Sequence, residues 1–374
     1  MNVLDFRKFH TEFCFAELLP ILLHDIAERL DTKVKEIKLE KVTSNKGLKG
    51  FHYDNVTQAT VKFVGLNPII ILIPKANDFD QFLVVDSQRI LVMELLDDLF
   101  SVRQTNSGML SVRFQFIKSL QSNNQGYFET IGCSLYSLYQ YYFTEAELKE
   151  LGIFFTTKEQ PNLYPETYSA VTLYSQIPVL NMNPYQKTLY LSFRNDILKK
   201  KVPSDKIKTL DSYLDPISKY LNNITSFKDV LLLTYTDLSQ QNIVDLTGTN
   251  LRYKRIRNQE LIMRTLYLKL LSMAKYQKQQ KDIRFVPDFL LKQMFIDTPL
   301  LKLFEFIDLR NPFQELSLKY KLVLLIDHLP NDLRDVHPSF MHKICVLDTS
   351  NDDSVGSKLQ LSFDAELDEL GRFL

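Results

Sequence analysis

Within the first ninety residues the spacing of apolar side chains changes period, and that change limits the folds open to the chain. Over residues 11–30, Phe13, Phe15, Leu18, Leu19, Leu22, Leu23 and Ile26 recur every three or four positions. This spacing predicts an amphipathic helix with a broad apolar stripe, kinked or started at Pro20. Residues 35–42, 59–64, 69–73 and 82–85 then alternate or cluster β-branched and apolar side chains, with Asn, Asp, Gly and Lys between the runs. Those runs predict strands joined by turns. A helix stripe and half-apolar strands must bury each other, so residues 1–125 read as a mixed α+β region and the chain as α+β and multidomain.

The 374 residues are 45% hydrophobic, enough for two or three domains with real cores. Forty-five basic residues balance 45 acidic ones, so there is no global charge of the kind a free-standing nucleic-acid binder carries. Cys14, Cys133 and Cys345 are far apart and form no CxxC pair, which argues against a disulfide framework or zinc knuckle and for a reducing cytoplasm. The most apolar stretch, residues 64–74, is interrupted by Asn67 and Pro68 and is shorter than the ~20 residues that span a bilayer. The N-terminus has no signal-peptide pattern. A folded, soluble protein with no membrane role is the expectation.

Residues 126–245 form a second region in this reading. It opens with Tyr136, Tyr139, Tyr141, Tyr142 and Phe143, followed by a predicted short helix at 145–151. Without interleaved Lys or Arg, the aromatic density reads as core in preference to a base-stacking platform. No internal repeat or low-complexity tract marks a linker.

Composition shifts near residue 250. Between Leu251 and Arg284 stand ten Lys or Arg against only Glu260 and Asp282. Leu261, Leu266, Leu270 and Met273 predict a basic amphipathic helix over residues 259–280, either a solvated face or a phosphate-tracking surface. Residues 289–295, 300–307 and 312–326 read as short helices, with Asn311-Pro312 as N-cap and first helical position. Residues 345–374 read as acidic and loop-like.

Four segments after residue 245, taken in order, resemble landmarks of the β subunit of multisubunit DNA-dependent RNA polymerases. Lys254-Arg255-Ile256-Arg257 with Glu260-Leu261 is similar to the family's Arg-Arg-Val-Arg run and Gly-Glu-Leu. Phe306 to Leu322 is similar to its Phe-Met-Asp-Gln-x-Asn-Pro-Leu-Ser-Glu-Ile-Thr-His-Lys-Arg-Arg-Leu segment. Arg334-Asp335-Val336-His337-Pro338-Ser339 is identical to the family's form. Ile344-Cys345-Val346-Leu347-Asp348-Thr349 is similar to Ile-Cys-Pro-Ile-Glu-Thr, and Glu369-Leu370-Gly371-Arg372-Phe373 to Asn-Glu-Tyr-Gly-Phe.

The resemblance implies the N-terminal part of a split β subunit, as in giant phiKZ-like bacteriophages, since the active-site lysines of β belong to a part absent here. Residues 246–374 would be the helical fork region facing the RNA–DNA hybrid, with an irregular C-terminal segment. Residues 1–125 and 126–245 would be protrusion- and lobe-like. Implied partners are the β C-terminal piece, β′ pieces, template DNA, nascent RNA and a promoter-specificity subunit. The implied location is the cytoplasm of an infected bacterium, or the virion.

The implied enzyme is a nucleotidyltransferase complex whose magnesium is held by partner chains. This chain would have no catalytic residues, cofactor or metal of its own. Implied nucleic-acid contacts are Arg255, Arg257, Glu305, Asp308, Asn311, Lys319, Lys321, Arg334, His337, Asp348 and Asn351. Glu305, Asp308 and Asn311 can also be read as helix-end hydrogen bonders. His337 and His342 suggest a metal site less readily than local hydrogen bonding.

Departures from the family pattern are Leu318 for His, Tyr320 for Arg, Val323 for Ser, Ser350-Asn351-Asp352 for Pro-Glu-Gly, and Ser354 for Asn. The changes at 318, 320 and 323 imply rifampicin resistance. No phosphate loop, Ser-His-Asp order or paired-carboxylate site stands out. The alternative reading is a stand-alone DNA-binding or interaction protein derived from such a fragment.

Overall fold

The computed structural model describes residues 1–44, 48, 51–84, 87–104, 110–115, 120–159, 171–175, 177–200, 203–239, 249–280, 303–308, 310–324, 334–345, 347–348 and 355–374. The chain is α+β and forms two compact units: Met1–Leu96 with Lys254–Leu374, and Asp97–Tyr253. This partition differs from three consecutive segments at 1–125, 126–245 and 246–374. The N-terminal and C-terminal parts share one set of sheets, a long-range pairing that local composition does not encode.

In the first unit, α1 (Val3–Phe13) starts at Asn2, whose side chain accepts from the amide of Asp5. A π-helical turn (Cys14–Leu18) leads into α2 (Leu19–Arg29). Pro20 has no N–H for the carbonyl of Ala16, and the wider turn sits where that bond is missing. The helical run therefore begins at Val3 and continues through Pro20 with a local widening. Val3, Phe6, Leu18, Leu19, Leu22, Leu23 and Ile26 form its buried stripe.

Strands β1 (Val34–Lys41), β2 (Val56–Phe63) and β3 (Ile69–Pro74) follow as an antiparallel sheet. β4 (Phe82–Val84) and β5 (Ser87–Leu91) form a hairpin, and β6 (Met93–Asp97) leads out of the unit.

The second unit opens with β7 (Phe100–Gln104), β8 (Leu110–Phe114) and β9 (Leu120–Gln121), an antiparallel sheet. Short hairpins β10 (Tyr127–Phe128) with β11 (Cys133–Ser134) and β12 (Phe155–Glu159) with β13 (Val171–Ser175) accompany the helices α3 (Leu135–Tyr142), α4 (Glu145–Glu150), α5 (Pro184–Leu198), α6 (Pro216–Leu221) and α7 (Phe227–Ser239). The aromatic-rich segment builds the core here. Tyr136 and Tyr139 are buried, and the Tyr139 hydroxyl meets that of Tyr185 at 2.7 Å and donates to the Leu231 carbonyl at 2.9 Å. Hydrogen-bonding the hydroxyls removes the cost of burying them.

The chain re-enters the first unit through β14 (Lys254–Arg257) and α8 (Glu260–Gln279), which matches the predicted basic helix to within a residue or so. Two expectations downstream fail. Residues 304–306 form a strand, β15 (Phe304–Phe306), not a helix, because β5 offers an open edge and pairs Glu305 with Ile90. The helix expected over 312–326 ends at Tyr320 as α9 (Pro312–Tyr320), and β16 (Lys321–Val323) takes over.

The segment expected to be loop-like contributes β17 (Ile344–Cys345) and β18 (Lys358–Leu361). These strands complete a five-stranded sheet in the order β14-β6-β16-β18-β17. The predicted helix at 289–295, the start of the one at 300–307, and Asn351 lie outside the described residues.

Candidate nucleic-acid interface

The sheet joins three of the four motif segments. β14 carries the Lys-Arg-Ile-Arg run, β16 ends the second segment, and β17 begins the fourth. β14 sits beside β6 and β16 on the other side of β6, so residues more than sixty positions apart share one layer.

Arg255 and Arg257 are two apart on β14 and project from the same face. Both are buried. Arg255 grips Glu260, on the first turn of α8, with two parallel bonds: Nη1 to Oε2 at 2.7 Å and Nη2 to Oε1 at 2.5 Å. A weaker bond from Nη1 reaches the Leu370 carbonyl at 3.5 Å. Arg257 donates through Nε to the carboxylate of Glu94 on β6.

Burial raises the proton affinity of Glu260, but Arg255 first, and then Arg257 and His10, override it and bring its pKa down to about 2. These guanidinium groups are committed to internal carboxylates. The phosphate-contact role expected for Arg255 and Arg257 does not fit that placement: a guanidinium facing phosphate must reach solvent, and these are 4% and 6% exposed.

His10 extends the buried network. Its Nε2 lies 2.9 Å from the Glu369 carbonyl, and burial pushes its pKa below the ordinary histidine value, against the opposing pull of Glu260. Arg7, only 1% exposed, ties four elements together: it donates to Asp80, to the Leu91 carbonyl at 2.9 Å and to the Lys319 carbonyl at 3.3 Å. Sequence reasoning overlooked Arg7, His10 and Glu94. The one available signal was the isolation of Glu260 within a basic run, which marks an acid placed to serve the arginines beside it.

The second segment is more open. Glu305 on β15 accepts from Lys321 Nζ at 2.5 Å, with side-chain exposures of 30% and 21%. Lys319 pairs with Glu315 one turn back along α9 at 2.8 Å. Asn311 caps α9 by accepting from the amide of Gln314, and Asp308 accepts from the amide of Arg310 at 3.0 Å. Both therefore act locally at the helix start.

Leu318 and Tyr320, which stand where the family has His and Arg, are buried. Leu318 packs in an apolar cluster with Ile90, Val92 and Ile307, and Tyr320 lies edge-on to Phe363 at 4.8 Å between ring centroids. Arg334 sits half-buried in a bend. His337 caps the turn Pro338–Phe340, its Nδ1 accepting from the Ser339 amide at 3.1 Å, and Asp348 is exposed.

The site thus divides into a buried set (Arg255, Arg257), a paired and partly exposed set (Glu305, Lys319, Lys321), and residues of the third and fourth segments that shape turns or face water. Among the described residues no group of three or more His, Cys, Asp and Glu side chains could hold a metal ion, and no helix is long and apolar enough to cross a membrane. No protein-family model matches the chain and no curated protein matches it.

Proposed function

We propose that this chain is a non-catalytic component of a multisubunit DNA-dependent RNA polymerase, corresponding to the N-terminal part of a β subunit, and that it helps form the wall holding the RNA–DNA hybrid. The observation that carries the reading is the ordered set of four motif segments with Arg334 to Ser339 at its centre. Its support from geometry is that strands of three of those segments lie in one sheet.

Such a wall must hold a nucleic-acid backbone without reading bases, which calls for cations at a surface. Lys319, Lys321 and Arg334 are the side chains of that kind retained by the reading, while Arg255 and Arg257 act as internal braces behind it. Nucleotidyl transfer and its magnesium belong to partner chains. The protrusion- and lobe-like roles, the split-subunit origin in a giant phage and the host-cytoplasm or virion setting are parts of the same proposal.

The test is co-expression with candidate β C-terminal and β′ pieces from the source genome, followed by purification and promoter-independent transcription. The expected result is a stable complex that loses activity when this chain is omitted. An active complex that assembles at full activity without it overturns the reading.

A second reading, a stand-alone interaction protein, is favoured by one observation: the two arginines of the most basic motif face Glu260 and Glu94 instead of solvent. It predicts no association with polymerase pieces.

A further inference from the structure

We propose that the groove between α1 and the turn at residues 75–80 is a docking site for an amphipathic helix of a protein partner, with Phe79 as its apolar anchor. Lys319, one of the cations assigned above to the hybrid, stands at the edge of this groove and is paired with Glu315; the docking site rests on the other lining residues and does not depend on the transcription reading.

The groove measures ≈ 720 Å³. One wall is a stripe of α1 and the following π turn, with Leu4, Lys8, Thr11 and Phe15 succeeding one another at three- and four-residue steps. Side-chain rows at that spacing are bordered by grooves into which the ridge of another helix packs. The other wall is the turn itself, and Arg7 lies between them.

The turn is fixed in advance of any binding. Asn77 Oδ1 accepts from the amides of Phe79 and Gln81, both at 3.0 Å, and the Asn77 carbonyl accepts from Asp80 at 3.0 Å. Asp80 adopts φ +61°, a conformation that costs a non-glycine residue energy, and it is held there by the buried Arg7. The result is a large aromatic ring, 70% exposed, presented at the apex of an ordered turn. An ordered, exposed aromatic loses little entropy on binding and is the kind of side chain that dominates protein interfaces. Leu4, 41% exposed, adds apolar surface on the facing wall.

Charge identifies the class of partner. Lys8 and Glu12 on the helix wall and Lys75 and Asp78 on the turn wall make no side-chain hydrogen bond or ion pair with the described residues, so each wall offers one cation and one anion. A nucleic acid would set its phosphates against Glu12, Asp78 and the nearby Asp5, which is repulsive. A helix with an apolar stripe flanked by both Lys and Glu satisfies all four groups.

The test uses the full chain and a displayed library of helical peptides about 16 residues long, long enough to hold a helix when bound. The library varies apolar residues along one stripe and Lys or Glu at the flanks. Selected peptides are then measured by fluorescence anisotropy against the wild type, Phe79→Ser, and the charge swap Lys8→Glu/Glu12→Lys. The expected result is binding weakened roughly 30-fold by Phe79→Ser, and flank charges that invert when selection is repeated on the charge swap. Both variants alter exposed side chains, and an unchanged thermal midpoint verifies their fold.

Three outcomes overturn the proposal. One is a peptide selection that returns no binder dependent both on Phe79 and on the sign of the flank charges. Another is binding of an oligo-dT probe that Lys8→Glu abolishes, which assigns the groove to nucleic acid. The last is concentration-dependent self-association that Phe79→Ser removes, which assigns it to a second copy of the chain.

Discussion

The carbonyl of Gly371 accepts the amide of Ile256 at 2.7 Å, and the two backbones are so close that a β-carbon on residue 371 would stand 2.1 Å from the Ile256 carbonyl oxygen. Gly371 also has φ +79°. Space and conformation both require glycine there, and the contact fastens the end of the chain to the strand that carries Arg255 and Arg257. Gly371→Ala is expected to cost about 2–3 kcal/mol, read by urea unfolding, together with faster hydrogen exchange at the Ile256 amide. A change within about 0.5 kcal/mol would show that the segment is not held as described.

The Arg255–Glu260 pair is buried, so removing one partner strands the other. Arg255→Met and Glu260→Met singly are each expected to cost about 3–5 kcal/mol, and the double variant to recover most of that loss. Since the carboxyl of Glu260 is lowered from 4.5 to about 2 in the folded chain, its contribution is complete above pH 4.5 and disappears as pH falls toward 2. Acid unfolding of wild type against Glu260→Met reads this directly, and identical acid limbs would refute it.

His10 acts in a different window. Its folded-state value lies below 6.5, so the unfolded chain binds a proton that the folded chain refuses, and stability falls as pH drops below 6.5. Replacing it with phenylalanine should flatten the stability profile just below pH 6.5. A histidine side-chain titration by NMR in which this resonance moves at or above 6.5 would contradict the assignment.

Lys321 and Arg257 should separate contact from scaffold. The Glu305–Lys321 pair is partly exposed, so Lys321→Ala should change stability by under about 1 kcal/mol. Under the proposed function, in a complex assembled with the β C-terminal and β′ pieces, it should reduce the salt dependence of template retention by about one phosphate contact. Arg257→Ala should do the reverse, destabilising the unit while leaving the salt slope intact. Equal salt slopes for the two variants would remove Lys321 from the interface.

The buried positions of Leu318 and Tyr320 bear on drug sensitivity under the proposed function. With these side chains committed to packing, the assembled enzyme should transcribe undiminished at rifampicin concentrations that stop bacterial polymerases. Inhibition at those concentrations would be the contrary result.

Much of the framework can be read from period and turn chemistry. The stripe from Phe13 to Ile26, the strands near 35–42, 59–64 and 69–73, and the helix beginning at Glu260 all appear, because their apolar spacing is local. Phe304–Phe306 could not be read this way. Its helical appearance is overruled by β5, more than two hundred residues earlier, which leaves an edge to be filled. The same holds for β18, a short strand paired with β16, and for β17, paired in turn with β18.

At the site, sequence shows that Arg257 is charged but not where it points: Glu94, 163 positions away, decides that. Arg255 instead turns to Glu260, five residues on. Asn311, by contrast, is legible from Asn-Pro alone, since a cap is made by neighbours.

The second unit leaves the first through β6 and returns through β14, and those two strands are neighbours in the five-stranded sheet. Topologically it is an excursion launched and recovered across a single strand spacing of about 4.8 Å. A polypeptide inserted at such a gate can lengthen, shrink or be exchanged for another folded module without shifting the register on either side. Evolution is thus free to remodel residues 97–253 while the sheet they interrupt stays fixed, and an engineer could bridge the gap with a tight turn.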